Sequence, residues 1–150
     1  MAMNESSASR ISVFLRFTRI QFIPMMLAPL AIGIGSAWYV KGSLNPLLVM
    51  LVIIGSIFLH LAANSIDDVY DFINGVDQVS EKMFPQDFPS WKPMTRGLIG
   101  VNEGYAISTI FYSLSLVIGI YLSIVAGWLA LIIAVPGIIL SYFYVAPLSG

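Results

Sequence analysis

The chain has no cysteine and a single histidine. Without cysteine there are no disulfides, no thiolate metal sites and no thiol nucleophile. One imidazole excludes a multi-histidine metal site within one chain. Charge is also scarce. Asp, Glu, Lys and Arg make up 10% of the 150 residues, and no Lys or Arg follows Arg96. A net charge of −1 gives no global attraction to nucleic acid, so no nucleic-acid partner is expected. Apolar residues take the place of charge: the chain is 58% hydrophobic with a mean hydropathy of +0.88. That balance excludes an ordinary soluble domain and fits an integral membrane protein in contact with lipid.

Four apolar stretches approach the roughly 20 residues that a bilayer core demands of a helix. They run over about 22–40, from about 44 into a run of aspartates, over about 105–126, and over about 128–144. The expected fold is all-α, an integral membrane bundle of four transmembrane helices. Pro24, Pro29 and Pro136 fall in or near these spans, where membrane helices tolerate them. "YVKGSLNP" (39–46) reads as a short turn and Gly127 as a tighter one, so neighbouring helices are expected to run antiparallel. Residues 1–13 read as a polar tail and 14–150 as one membrane domain, with no cleavable signal peptide. The long 72–102 segment mixes prolines with Phe84, Phe88 and Trp91, which is expected of a cap on the bundle rather than a plain linker.

Basic residues orient the bundle. Arg10, Arg16 and Arg19 precede the first span, and Lys82, Lys92 and Arg96 lie between the second and third, whereas Lys41 alone occupies the first turn. By the positive-inside rule the N-terminus and the 72–102 segment face the cytoplasm of a multi-pass cell-membrane protein. Arg19 reads as an interfacial anchor.

One stretch conflicts with its surroundings. "NSIDDVYDFINGVD" (64–77) closes the second apolar span with Asp67, Asp68 and Asp71. An ionisable residue near the centre of a membrane helix costs roughly 2.5–3.5 kcal/mol on insertion scales, less toward the interface. At about 100° per residue, Asp71 lies about 20° behind Asn64, Asp68 about 40° ahead and Asp67 about 60° behind. His60 falls on the same stripe and reads as a buried polar contact rather than a base. Three carboxylates this close repel one another, and a divalent cation removes the repulsion. Oxygen-only ligands suit Mg²⁺, Ca²⁺ or Mn²⁺. Mg²⁺ typically takes one or two carboxylates and completes its shell with waters and substrate phosphates. With Lys and Arg nearby, the cluster suits a diphosphate headgroup on a lipid chain. A solvated acidic helix end is the plain alternative, and three acids on one stripe weigh against it.

At these residues the sequence resembles the UbiA-type intramembrane prenyltransferases. "DDVYDFINGVD" (67–77) matches that family's Asn-Asp-x-x-Asp signature and its x-x-x-Gly-x-Asp continuation, with Asp67 where the family usually has Asn. "FLRFTRIQFIPMMLAPLAIG" (14–33), "TRGLIGVNEGYAIS" (95–108) and "SYFYVAPLSG" (141–150) resemble the segments around its first, third and fourth helices. The resemblance implies Mg²⁺-dependent transfer of a prenyl group from an isoprenyl diphosphate to a ring acceptor, a quinone precursor of the menaquinone type. It implies that Asp68 and Asp71 are the catalytic, metal-binding pair, with Asp67 and Asn64 as further metal ligands and Asp77 in support. Lys82, Lys92 and Arg96 are candidates for the diphosphate, and equally for anchoring at the membrane face. The family has about nine transmembrane helices and a second Asp motif, so this chain reads as the N-terminal half, with a C-terminal half as its missing partner. A cation transporter or channel subunit, and an inactive membrane fragment, are the competing expectations.

Overall fold

The computed structural model describes residues 9–83 and 92–144, all helices and turns. Phe84, Phe88 and Trp91 lie outside the described residues. The chain opens with α1 (Arg10–Phe17), capped by Ser9, whose Oγ accepts from the Ile11 amide at 3.3 Å. The helix is amphipathic: Phe17 is buried while Ile11 is exposed. It occupies part of what the sequence reads as tail. Thr18, fully buried, donates its hydroxyl back to the Phe14 carbonyl at 3.0 Å. Arg19 then turns the chain in a left-handed conformation, φ 50° and ψ 42°, into a 3₁₀ turn at Ile20–Phe22.

α2 (Ile23–Lys41) starts with Pro24 in its first turn, where a missing N–H costs least, and carries Pro29 inside. It ends at Gly42, φ 71°, whose amide donates to the Trp38 carbonyl at 2.8 Å. Glycine adopts this left-handed cap without a Cβ clash. Asn45 caps α3 (Pro46–Ile73), its Oδ1 accepting from the Leu47 amide at 2.9 Å. α3 has 28 residues, so it is about 42 Å long at 1.5 Å per residue and reaches beyond a hydrocarbon core of about 30 Å. The aspartates lie in that overhang. α4 (Val76–Met83) follows, then a packed turn containing the buried Pro93, Met94 and Ile99, then α5 (Val101–Ala126) and α6 (Leu129–Phe143).

Three segments, Ile20–Lys41, Pro46–Ile73 and Val101–Ala126, are long and apolar enough to cross a membrane. The fourth expected span is the apolar helix α6, and its 15 residues fall short of the length the other three reach. The result is an all-helical membrane bundle, as the sequence implies.

α3 and α5 form the main packed pair. Lipid tails give apolar side chains no reason to leave them, so membrane helices associate through close backbone approach and polar contacts between small residues. α5 presents Gly104, Ser108 and Ser115, and α3 presents Gly55, Ala62 and Ser65, all buried. Ser115 Oγ donates to the Gly55 carbonyl at 3.0 Å. A Cβ on Gly104 would lie 2.5 Å from Val69 Cγ2. Phe17, Val69, Met94 and Ile99 form the buried apolar cluster, so α1, α3 and the 92–100 turn meet at the aspartate end of the bundle. α6 returns to that end, where the Tyr142 hydroxyl meets that of Tyr70 at 3.0 Å and Tyr112 pairs with Ser141 at 3.2 Å. By contrast, α2 and α6 contain no buried residue. Their flanks offer apolar surface to lipid or to further protein.

Candidate functional site

The helical stripe read from the sequence exists. One oxygen from each of Asp67, Asp68 and Asp71 lies within 4.8 Å of the others. Asp68 is 3% exposed, while Asp67 and Asp71 are half-buried. A fourth carboxylate joins them from outside α3. Asn74 ends the helix and Gly75, at φ 74°, reverses the chain, so that Asp77 starts α4 facing back toward the cluster. Asp77 is 2% exposed. Its Oδ1 accepts from Lys92 Nζ, and its buried Oδ2 has no hydrogen-bond partner among the described residues.

Two cations hold the four acids together. Arg19 reaches across from the turn after α1: its Nη1 lies 2.9 Å from Asp67 Oδ2 and its Nη2 donates to Asp68 Oδ1. Lys92 enters from the turn that precedes α5, with Nζ 3.3 Å from Asp71 Oδ2 and 3.6 Å from Asp68 Oδ1. Burial pulls the Lys92 ammonium down, but its hydrogen bond to Asp77 and the charges of Asp68 and Asp71 outweigh that and leave it raised. Arg19 behaves likewise: burial opposes its charge, and Asp68 and Asp67 more than restore it. Burial pushes the Asp77 carboxyl up, and Lys92 offsets only part of the shift.

Arg19 is the residue that sequence reasoning missed. Its expected role as an interfacial anchor is corrected by the structure: it is a counter-ion inside the cluster. The charge pattern alone marks it as one of three arginines before an apolar span, and only the left-handed turn at position 19 directs it to acids 49 residues away. The other candidates divide. Lys92 stands at the centre. Arg96 is exposed and faces Glu81 at 3.8 Å, and Lys82 is exposed in the last turn of α4. Among the described residues, Arg19 and Lys92 supply ion pairs to the four carboxylates. Asn64 lies one turn below, its Nδ2 donating to the His60 carbonyl at 2.8 Å, which leaves Oδ1 as its possible ligand atom. His60 is part-buried, and its Nε2 has no hydrogen-bond partner among the described residues.

With all four carboxylates ionised, one guanidinium and one ammonium leave a charge of −2, which a single divalent cation balances. Two oxygens on one Mg²⁺ at about 2.1 Å each lie at most about 4.2 Å apart. The three carboxylate oxygens lie within 4.8 Å of one another, near that limit, and Asp77 Oδ2 supplies a further acceptor with no hydrogen-bond partner among the described residues. The donor set therefore fits a hard divalent ion.

The family model of the UbiA prenyltransferase family matches residues 26–149. The chain belongs to that family. The four acids of α3 and α4 lie within the matched residues, while Arg19 lies ahead of them. The chain is also similar to 1,4-dihydroxy-2-naphthoate octaprenyltransferase of Escherichia coli (strain K12), 27% identical over 101 residues. The similarity covers 67% of this chain and 30% of the length of that protein. No solved structure matches.

Proposed function

We propose that this UbiA chain supplies the first metal–diphosphate half-site of an enzyme that transfers a prenyl group from an isoprenyl diphosphate to a quinone-precursor ring. The observation that carries the reading is the convergence of Asp67, Asp68, Asp71 and Asp77 on Arg19 and Lys92 at one end of an apolar bundle. Asp68 and Asp71 hold Mg²⁺, with Asp67, Asp77 and Asn64 Oδ1 completing or steadying its shell. A bound Mg²⁺ supplies neutralisation of the departing diphosphate. Lys92 donates to phosphate oxygens, and Arg96, which faces Glu81, is a second candidate donor. The apolar flanks of α2, α5 and α6 hold the chain in the bilayer beside the prenyl tail. The E. coli relative's naphthoate substrate supports a ring acceptor, as do Gly75 and Asp77 in the continued motif. A cation transporter would need the acids but has no use for a basic residue fixed among them.

Among the described residues there is one aspartate cluster, and on the family resemblance a second metal set would be supplied by a C-terminal half. The test is transfer of labelled prenyl diphosphate to dihydroxynaphthoate-type acceptors in membranes. We expect no transfer by this chain alone and Mg²⁺-dependent transfer when it is co-expressed with a UbiA C-terminal half. Robust turnover by purified residues 1–150 would refute the half-site reading.

The orientation is tested separately. Met83 and Ser43 are exposed at opposite ends of α3 and its neighbours. In Met83→Cys and Ser43→Cys variants, an impermeant thiol reagent on the cytoplasmic side should label position 83 and spare position 43. The reverse pattern would place the site on the outer face.

A further inference from the structure

Asp68 Oδ1 serves two cations at once: Arg19 Nη2 donates to it and Lys92 Nζ stands 3.6 Å away. Arg19 also holds Asp67, and Lys92 also holds Asp71 and Asp77. Asp67, Asp68 and Asp71 are also the acids whose oxygens gather within 4.8 Å of one another, the grouping a divalent ion would draw on. A metal on the triad therefore competes with a guanidinium and an ammonium for lone pairs already in use. Both cations are largely withdrawn from water, with side chains 21% and 15% exposed. Displaced by metal alone, each would sit at the membrane face without its acidic partners. Both side chains match phosphate as well as carboxylate, and a guanidinium does so with two parallel donors. Arg19 is also held on station by its backbone, as the one non-glycine with positive φ among the described residues.

We infer that Arg19 and Lys92 are exchangeable counter-ions. They keep the carboxylates assembled before metal binds, then pass to phosphate oxygens when metal and diphosphate arrive together. This rests on the cluster being a metal–diphosphate site. Metal and diphosphate then bind as a coupled pair, each strengthening the other by the same factor. The exchange disfavours metal alone and so protects the site from filling with bare divalent ions.

The experiment measures Mn²⁺ affinity of the 150-residue chain in neutral-lipid nanodiscs, by the electron paramagnetic resonance signal of free Mn²⁺, with and without inorganic pyrophosphate. The variant is Arg19→Asn, because asparagine tolerates the left-handed backbone while removing the charge. For the wild type, pyrophosphate should tighten Mn²⁺ at least about tenfold, within the ordinary range of coupling. In Arg19→Asn, Mn²⁺ alone should bind several-fold more tightly, and the enhancement by pyrophosphate should shrink several-fold. Mn²⁺ should also raise the thermal midpoint of Arg19→Asn more than that of the wild type, a rescue that a merely structural arginine would not give. If Arg19→Asn loses its helical signature, Lys92→Gln is read the same way. Unchanged coupling in a folded variant overturns the exchange and leaves the metal site standing. Absence of Mn²⁺ binding by the wild type, with or without pyrophosphate, overturns both.

Discussion

Replacing Asp68 or Asp71 by alanine in an enzyme completed with a second half should cut prenyl transfer by about 10²-fold or more. That is the scale on which a single preorganised electrostatic partner of a transition state contributes. Asp68 is the more sensitive of the two, because its Oδ1 is shared by Arg19 and Lys92 and its side chain is buried. Under the proposed function its loss would remove a metal ligand and also free both cations to close on the remaining acids. Folding should survive, since Arg19 keeps Asp67, and Lys92 keeps Asp71 and Asp77. Asp67→Asn should be milder: it retains an oxygen ligand and gives the residue that UbiA members usually carry there. The measurement is turnover at saturating Mg²⁺ alongside membrane insertion and thermal midpoint. Near-normal turnover by Asp68→Ala and Asp71→Ala would remove the metal assignment.

The aspartate stripe was legible in the sequence for a physical reason. Helical geometry is local, so a spacing of one, three or four residues fixes which side chains share a face, and an apolar run of this length leaves little doubt that the segment is helical. The same locality made α2, α3 and α5 readable as membrane spans. The residues that complete the site are not local. Asp77 comes back to the cluster only through the turn at Gly75, and Arg19 only through a left-handed residue that no hydrophobic period encodes. Lys92 was one of three basic candidates of equal standing. It is singled out by the burial of its neighbours Pro93 and Met94, the latter packing with Ile99 against Phe17 and Val69 to anchor the 92–100 turn. α6 shows the reverse weakness of composition: residues 128–144 are apolar enough to read as a span, but the regular helix is 15 residues long.

The packing that sets the site should be just as sensitive as its charges. Gly104 is a point of close approach between α5 and α3, with a Cβ there falling 2.5 Å from Val69 Cγ2 and 3.2 Å from Phe17 Cζ. Val69 is β-branched, fully buried and adjacent to Asp68, so it has little freedom to rotate away. Gly104→Ala gains up to about 1 kcal/mol from helix propensity. Against this stands an overpacking cost of about 1–3 kcal/mol. The clash should win, lowering stability and loosening the metal site together. Gly104→Leu adds further carbons against Phe17 and Met94 and should separate the two helices, with loss of the cooperative transition. Val69→Ala removes the opposing methyls, so Gly104→Ala in that background should be neutral or stabilising. A double-mutant cycle in thermal unfolding measures this coupling, expected at about 1 kcal/mol or more between residues in contact. Additive effects would mean that the α3–α5 approach at Gly104 is looser than the structure shows. The aspartate cluster would then draw its geometry from Arg19 and Lys92 rather than from the helix pair beneath it.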